Sequence, residues 1–268
     1  DSSGAASSFG GGQGGGSVDG GGAGMGGAIF NHRGMLSLIN VTMTGNTAIG
    51  GSGFNTYPGS GLGGAIFNLN GTVTIQFSTL ANNSISGSNG AGLAGGSGDG
   101  TVYSLAYGNK IEDASASNAT LTIDSSIVTG TVASGGLGND VVNNAVAGSG
   151  AANVATLNFN GSNIVGNSWN YPTNPGATAT QNGAPTSSAA PMLGALFDYG
   201  GPTQTMRPQP GSPAINAIAP VAGACAVNSD QRGQSRPVGG GCDLGSVELT
   251  AVELDRIFAD NFDGTPTL

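Results

Sequence analysis

The chain has 268 residues, of which 52 are glycine, and its charged residues make up 8% of the composition, against roughly 25% in typical soluble domains. The net charge of −9 and the sequence pI of about 4.1 provide no basic patch for a phosphate backbone, so we expect no nucleic acid partner. No apolar run approaches the ~20 residues of a membrane-spanning helix, so we expect no transmembrane segment. The apolar residues instead lie in short β-branched runs, which predicts an ordered, β-rich chain.

Residues 1–25 form a glycine-rich N-terminal segment that begins in Ser/Gly-rich sequence at Asp1. No signal peptide is visible, so we expect a mature or trimmed product. Such a segment serves as a flexible linker, or it packs in extended form against the residues that follow. Because "GAGMGGAIF" runs directly into the next pattern, we expect the segment to be partly ordered.

Residues 26–200 contain four copies of one sequence pattern. "GGAIFNHRGMLSLINVTMTGN" begins at Gly26, and "GGAIFNLNGTVTIQFSTLANN" begins at Gly63, 37 residues later. Two weaker copies, "ATLTIDSSIVTGT" from Ala119 and "ATLNFNGSNIVGN" from Ala155, start 36 residues apart. Glycine-rich inserts separate the copies and are expected to be loops on one side of the molecule.

Apolar residues alternate along each copy, as they do in a β-strand with one buried face. This alternating set is Leu36, Leu38, Val41, Met43, Val73, Ile75, Phe77, Leu121, Ile123, Leu157 and Phe159. A single copy cannot bury its own apolar row, whereas stacked copies bury a continuous one. We therefore predict an all-β solenoid with few helices, in which strands from successive copies pair in parallel ~4.8 Å apart.

Each copy ends in a polar residue. Asn46, Asn83 and Asn167 occupy the same place in their copies, and Thr131 occupies it in the third. Stacked asparagine side chains can hydrogen-bond along a solenoid corner, as amide ladders do in cross-β structures. The alternative is that Gly-Asn merely suits a turn.

The repeats resemble the GGA-[ILV] and FxxN-type repeats of chlamydial polymorphic outer-membrane proteins and of bacterial right-handed parallel β-helix surface proteins. The residues that carry this likeness are "GGAIFN", present twice, with "GMLSLINVTMTGNTA" and "GTVTIQFSTLANNS". The resemblance implies a right-handed parallel β-helix that is secreted or displayed at the cell surface. It says little about function.

A second resemblance covers residues 196–249. The elements "GGPTQT", "GSPAI", "DQRG" and "CDLGSVE" occur here in that order, and they are similar to the closing segment of bacterial β-helix proteins called choice-of-anchor proteins. We expect residues 201–249 to form a C-terminal cap on the solenoid. The tail, residues 250–268, contains "LDRIFADNFDG" and resembles short C-terminal sorting tails of secreted gammaproteobacterial proteins.

The predicted cap holds the two cysteines of the chain, Cys225 and Cys242. In an extracellular protein two cysteines form a disulfide by default, and a metal site would need more ligands than two thiols and one distant histidine. We therefore predict a structural disulfide and no metal.

Four charged residues, Asp230, Arg232, Arg236 and Asp243, crowd into the same segment as the disulfide. They suit an ion-pair network that ties the cap onto the last copy, because guanidinium groups bind carboxylates in bidentate fashion. The alternative is an acidic-sugar or metal site.

Residues suited to catalysis are scarce. The sole histidine, His32, has no nucleophile-elbow motif to serve, and it is expected to be a solvated turn residue. A pectate-lyase-like enzyme would need a basic residue and clustered carboxylates. The copies offer only scattered charges, namely Arg33, Asp99, Lys110, Glu112, Asp113, Asp124, Asp140 and Asp198.

The tail offers the oxygens of Asp260, Asn261 and Asp263 to calcium, but without EF-hand spacing, so a solvated tail is the favoured interpretation. We expect no catalytic residue and no cofactor anywhere in the chain. The leading prediction is a noncatalytic extracellular or cell-surface β-helix, adhesin-like or structural.

Its expected partners are surface carbohydrate or further copies of itself, joined head to tail into fibres through unpaired strand edges. Two alternatives remain open. One is a polysaccharide-active enzyme or carbohydrate-binding module on the same fold. The other is an ice- or surface-binding protein, suggested by the threonines of "TMT" and "TVT".

Overall fold

The computed structural model describes residues 9–10, 21–51, 59–86, 100–108, 117–134, 138–147, 152–172 and 175–255. This part of the chain is all-β, as predicted. Its strands are β1 (Phe9–Gly10), β2 (Gly24–Met25), β3 (Ile29–His32), β4 (Met35–Ile39), β5 (Thr42–Thr44), β6 (Thr47–Ile49), β7 (Gly61–Leu62), β8 (Ile66–Leu69), β9 (Thr72–Gln76), β10 (Thr79–Ala81), β11 (Ser84–Ser86), β12 (Val102–Gly108), β13 (Asn118–Asp124), β14 (Ile127–Thr129), β15 (Val132–Ser134), β16 (Val141–Ala147), β17 (Val154–Asn160), β18 (Ile164–Val165), β19 (Ser168–Pro172) and β20 (Thr178–Asn182). A short helical segment at 251–255 is the one helix in the described residues.

Four parallel sheets, B to E, are built from the strands of successive copies, and β1, β2 and β7 form a separate sheet A. Sheet B has the order β3-β8-β12-β16-β19, sheet C β4-β9-β13-β17-β20, sheet D β5-β10-β14-β18 and sheet E β6-β11-β15. The first three copies each contribute strands to sheets B, C, D and E in that order, and a fifth, partial copy adds β19 to sheet B and β20 to sheet C. The fourth copy lacks a described strand in sheet E and passes from β18 to β19.

The pairing register matches the alignment of the four sequence copies. In sheet C, Leu36 lies opposite Val73, Val73 opposite Leu121, and Leu121 opposite Leu157. The prediction of parallel pairing between successive copies is therefore confirmed. Only the parallel sheets bring these side chains together, since the paired residues are dozens of positions apart in the chain.

The inward-facing residues of sheets B, C and D form one apolar core. Ile66, Val73, Leu121 and Val128 are fully buried members of it. Burying an aliphatic side chain of this size contributes about 1.5–3 kcal/mol each, so the stacked apolar row is the main stabilising feature of the fold.

The glycine-rich chain near the N-terminus packs beside the first two copies. Strand β2 pairs with β7 in parallel and with β1 in antiparallel orientation, so part of residues 1–25 is ordered. A Cβ atom on Gly59 would overlap the backbone carbonyl of Gly22, and one on Gly21 would overlap that of Gly51. Glycine is required there because these chain segments run closer together than any side chain permits.

Beyond Asn182, residues 183–255 form a C-terminal segment that pairs through isolated bridges in place of regular strands. Thr186 and Ser187 continue sheet D beside β18. The remainder crosses the outer face of sheet D, where Ser246 Oγ lies 2.7 Å from Thr42 Oγ1 and Gly245 N donates to Ser125 O at 3.0 Å.

The C-terminal segment differs from the predicted cap in its position along the stack of copies. The segment contacts sheet D residues from the first to the fourth copy, ending with Leu244 and Ala214 packed on Ile127 and Ile164. The segment therefore runs along the side of the stack at sheet D, whereas we expected a cap that ties onto the last copy. Its place is dictated by those two isoleucines, which face outward from sheet D and need an apolar cover.

Candidate binding face and buried charge cluster

The outer face of sheet C carries a regular array of uncharged side chains, which we call the threonine face. Six of its ten positions are threonine. The first row is Met35, Thr72, Thr120, Thr156 and Thr180, and the second row is Ser37, Thr74, Thr122, Asn158 and Asn182. Neighbours within a row are register partners on adjacent strands, so the array repeats in two directions.

The alternation of strand residues places both rows outward. Between them lie Leu36, Val73, Leu121 and Leu157, which face the core. Adjacent strands are spaced by about 4.8 Å, and residues two apart on one strand by about 6.7 Å. The face is therefore a regular lattice of hydroxyl, amide and methyl groups.

Hydrogen bonds within the second row fix its amides. Asn182 Nδ2 donates to Asn158 Oδ1 at 2.8 Å, and Asn158 Nδ2 donates to Thr122 Oγ1 at 3.3 Å. Threonine is itself stiff at χ1 because its Cβ is branched. The amides of the second row and the threonine side chains are thus restricted in conformation before any partner binds.

Sheet D, in contrast, has a covered outer face, and so do the middle strands of sheet B, whereas Trp169 of β19 is 37% exposed. Phe67 and Tyr103 stack on the outside of sheet B with ring centroids 5.5 Å apart, yet each is only 1% exposed because Leu62 and neighbouring residues pack over them. Sheet D is covered by the C-terminal segment. On sheet C, by contrast, Thr72 is exposed and Met35 is 91% exposed.

The sequence analysis singled out "TMT" and "TVT" together, but the two motifs lie on different sheets. "TMT" at 42–44 belongs to sheet D, where Thr42 bonds Ser246 and Gln231 of the C-terminal segment. "TVT" at 72–74 belongs to the threonine face. The detectable signal was the recurrence of "TLT" and "TLN" in the two weaker copies at the place of "TVT".

The three predicted turn asparagines divide into a pair and an outlier. Asn46 donates through Nδ2 to Asn83 Oδ1 at 2.9 Å, so these two side chains stack as expected. In the third copy both Thr131 N and Thr131 Oγ1 donate to Asp140 Oδ1. Asn167 does not join the stack, because its backbone N–H instead donates to Asp140 Oδ2 at 2.9 Å.

An inserted residue explains why Asn167 was misplaced. Asp124 pairs with Asn160 in sheet C, but Ile127 pairs with Ile164 in sheet D, so the fourth copy has one extra residue between the two sheets. Asn167 is therefore one position out of register with Thr131. The carboxylate of Asp140 joins the two in place of the missing amide, and burial raises its pKa despite these hydrogen bonds.

Sheet B also contains an interior amide ladder, which the sequence analysis did not predict. One polar residue per copy points inward from sheet B in register, and the series is Asn31, Asn68, Ser104, Asn143 and Asn170. Asn31 Nδ2 donates to Asn68 Oδ1 at 2.8 Å, and Asn68 Nδ2 donates to Ser104 Oγ at 3.0 Å. The repeated "AIFN" at 28–31 and 65–68 was its sequence signal.

The predicted disulfide is present. Cys225 and Cys242 are bonded, with their Cα atoms 6.1 Å apart, and both are buried. Phe77 of the second copy packs against them. The disulfide thus joins two parts of the C-terminal segment at the point where that segment meets the stacked strands.

The predicted charged residues Asp230, Arg232, Arg236 and Asp243 are all buried in one cluster. Arg232 Nε lies 3.0 Å from Asp230 Oδ2. Asp243 uses its two oxygens to accept the backbone N–H groups of Asn216 and Leu249 at 2.7 and 2.8 Å. Their partners are groups of the C-terminal segment itself, which is what a structural network requires.

Two glutamates that sequence reasoning left out complete the cluster. Arg236 Nη1 lies 2.9 Å from Glu248 Oε2, with both side chains fully buried, and the Arg236 guanidinium stacks 4.6 Å from the centre of the Phe77 ring. Arg232 Nη1 lies 3.0 Å from Glu253 Oε1. The "GSVE" element ending in Glu248 was noted as a family element, but its pairing across the fold is not visible in the sequence.

The titration behaviour of the cluster follows from burial and pairing. Burial, and then the charge of Asp243, raise the pKa of Glu248 to about 7, while burial lowers the pKa of Arg236. Burial acts to raise the pKa of Glu253, but hydrogen bonds from Arg232 and Thr250 outweigh it and lower the pKa to about 2. Burial also raises the pKa of Asp243.

The scattered charges considered for catalysis do not converge within the described residues. His32 is exposed at the end of β3, and Arg33 follows it at a positive φ of 55°. Among these residues no group of three or more histidine, cysteine or acidic side chains is placed to hold a metal. Asp99, Lys110, Glu112, Asp113, Asp260, Asn261 and Asp263 lie outside the described residues.

Two of the cavities lined by described residues lie beside the stacked sheets. One of about 470 Å³ is polar and open, and Thr131, Asp140 and Asn167 contribute to its wall. The other, of about 310 Å³, lies between Phe77 and the C-terminal segment near Cys225. Neither is lined by a residue of the two threonine-face rows.

Across the described part of the chain, no helix combines the length and apolar character needed to cross a membrane. Comparison with known proteins adds no further constraint on function. No protein-family model matches the chain, and no curated protein or solved structure matches it either.

Proposed function

We propose that the protein is a noncatalytic, extracellular, adhesin-like β-helix that attaches to an extended flat surface through the threonine face. In this proposal sheets B to E are the sides of a right-handed parallel β-helix. The order in which the chain visits the sheets supports the coiling, and right-handed crossover between parallel strands is by far the commoner hand.

The observation that carries the proposal is the uncovered, in-register pair of rows on sheet C. Proteins seldom build a repeating array of one side-chain type on an exposed face without a partner, since surface positions are individually free to vary. The array is regular and uncharged, and its threonine side chains are stiff. A partner that is also regular and uncharged, and that presents repeated hydrogen-bonding groups, would contact many positions of the array at once.

The chemistry of the buried charges favours a noncatalytic role. The oxygens of Asp230, Asp243 and Glu248 accept hydrogen bonds from backbone N–H groups and arginines of the C-terminal segment. Asp140 is likewise committed to Thr131 and Asn167. Carboxylates bound in this way are structural, because a general acid or base must be free to reach a substrate.

The disulfide between Cys225 and Cys242 is compatible with an extracellular location, because disulfides persist in oxidising compartments. We extend this to secretion or display at the cell surface. Surface carbohydrate in crystalline form is one extended partner of this kind.

The test is adsorption of the purified chain to a panel of solids: crystalline cellulose, crystalline chitin and ice. The test variant is Thr122→Tyr, which places a bulky ring in the middle of the second row. The control is Val132→Tyr on sheet E, where the native side chain is 59% exposed. We expect adsorption to at least one solid, lost in the first variant and kept in the second.

Adsorption to none of these solids, or equal adsorption by both variants, would contradict the proposal. Release of new reducing ends or unsaturated sugars from soluble polysaccharides would instead favour the enzymatic alternative.

A second candidate function, head-to-tail self-association, is favoured by the edge of the first copy. Ile29 and Leu36 are only partly buried, whereas their register partners Ile66 and Val73 are fully buried. A second copy docking its last strands there would bury them and pair the open edges of β3 and β4. Sedimentation at increasing concentration should then reveal assemblies, and a strictly monomeric protein would remove this candidate.

A further inference from the structure

We propose that the surface recognised by the threonine face is ice. This inference rests on the proposed function, because it names the partner of the same face. Four properties of the face lead to it: its shape, its lack of charge, its mixture of methyl and hydroxyl groups, and its regular spacing.

The shape of the face selects a solid over a dissolved ligand. Small-molecule sites are concave and bury most of the ligand surface. The two rows lie on the outer side of a five-stranded sheet, and both described cavities lie elsewhere. A single sugar or ion would touch this face on one side only and leave most of its own surface in water.

The charge of the face selects a neutral solid. The chain carries a net charge of −9, yet none of the ten positions in the two rows is ionisable. The one acid that lies beside these rows on the same described face, Asp124, accepts a hydrogen bond from Gln76 Nε2 at 3.0 Å. An ionic mineral or an anionic polymer would be bound through charged groups, which are strongly attracted at short range. A lattice of neutral molecules can be bound without charged side chains.

The side-chain chemistry favours water over polysaccharide. Crystalline polysaccharides present broad sugar rings, for which aromatic side chains are the usual flat partners, and neither row contains one. Threonine supplies a methyl group and a hydroxyl group at six of the ten positions, so these side chains exclude disordered water and hydrogen-bond to ordered water together. Water held between protein polar groups makes hydrogen bonds nearly as good as direct ones.

The rigidity of the face makes ordering of that water inexpensive. Thr72, Thr120 and Thr156 follow one another on adjacent strands at a constant spacing of about 4.8 Å. Each gap between them is alike, so waters in successive gaps are held in equivalent positions. A repeating layer of bound water can then continue into the lattice of an ice crystal.

Binding through such a layer depends on the whole array. Each contact is weak, but contacts made simultaneously on one rigid body add to a strong attachment. One bulky side chain that lifts the face from the ice should therefore remove most of the binding. The same substitution on another sheet should remove none.

The experiment uses the full chain, labelled with a fluorophore, in three assays: partitioning into a growing ice hemisphere, thermal hysteresis, and inhibition of ice recrystallisation. Thr122→Tyr and Thr156→Tyr are the test variants, and Val132→Tyr on sheet E is the control. We expect the native chain to enter ice, with the incorporated fraction reduced by about tenfold or more in both test variants and unchanged in the control. Circular dichroism and thermal unfolding verify that each variant is folded.

A third variant, Thr122→Val, keeps the branched shape and the methyl group of threonine but replaces the hydroxyl with a second methyl group. It should reduce the incorporated fraction less than Thr122→Tyr does. Exclusion of the native chain from ice overturns the inference, as does equal incorporation of Thr122→Tyr and the control.

The failure of this inference can be told from the failure of the proposed function. If ice excludes the chain while cellulose or chitin retains it, and Thr122→Tyr abolishes that retention, the inference of ice as the partner is wrong. The proposal that the threonine face binds a solid then still holds. If neither ice nor any other solid retains the chain, both are wrong.

Discussion

Replacement of Asn68 by alanine is the sharpest test of how the stacked copies are held together. Asn68 is fully buried in the interior amide ladder of sheet B. It accepts a hydrogen bond from Asn31 Nδ2 at 2.8 Å and donates to Ser104 Oγ and Gly71 O, each at 3.0 Å. The substitution removes these three bonds and a longer one, 3.4 Å from Nδ2 to Thr120 O, and the groups that lose them gain no new partner.

The expected loss of free energy of unfolding follows from counting the hydrogen bonds that Asn68→Ala removes and the groups that it leaves unpaired. Each bond contributes about 1 kcal/mol net, so three bonds correspond to about 3 kcal/mol. Gly71 O keeps its bond from Thr120 N, and Asn31 Nδ2 keeps its bond to Gly34 O. The substitution therefore affects Ser104 Oγ most, because this buried hydroxyl loses its hydrogen bond from Asn68 Nδ2.

Urea unfolding followed by circular dichroism measures the effect. A loss of about 3 kcal/mol lowers the midpoint by about 1 M for a slope of about 3 kcal/mol per M. The control is Asn118→Ala, at an exposed position at the start of β13, which should change the free energy of unfolding by less than about 0.5 kcal/mol. If Asn68→Ala were as mild as this control, the ladder would not stabilise the stack and the reasoning would fail.

Three further predictions concern the C-terminal segment. Changing both Cys225 and Cys242 to serine opens a loop with a sequence separation of 17 and should lower the free energy of unfolding by about 3 kcal/mol; equal stability of the native and doubly substituted chains would show that the loop is held by packing alone. Arg236→Met leaves Glu248 as a buried charge without its partner and should destabilise the chain by about 3–5 kcal/mol in urea unfolding at pH 8, and a loss under about 1 kcal/mol would argue against this pairing. The pKa of Glu253 falls from its ordinary 4.5 to about 2 on folding, so its stabilising contribution is present above pH 4.5 and is lost as the pH falls from 4.5 towards 2; Glu253→Gln should flatten the stability profile over that window, and an unchanged acid limb would refute the assignment.

Several features of the site were predictable because they depend on local pattern. The alternation of Leu36, Leu38 and their equivalents predicted strands, and the repeat spacing predicted which strands pair. The two cysteines predicted a disulfide because only one pairing was available. The right-handed coil and the family resemblances stay predictions.

Other features depended on contacts between residues distant in sequence. Glu248 and Glu253 could not be assigned to Arg236 and Arg232 from spacing alone, because the C-terminal segment is irregular and has no periodicity to align. Asn167 was misplaced by one inserted residue, since a single extra residue between two strands leaves the repeat visible while shifting the register.

The sequence by itself determined the strand pattern, the stacking of its copies and the scarcity of charge on the copies, because period-2 burial and composition are local properties of the chain. Only the tertiary structure decided which outer face is available. The threonines at 42–44 and at 72–74 read alike in sequence, yet the C-terminal segment covers Thr42 and leaves Thr72 exposed. The physical reason is that the outward Ile127 and Ile164 draw the segment onto sheet D, whereas the outward residues of sheet C are polar in the same copies and need no cover.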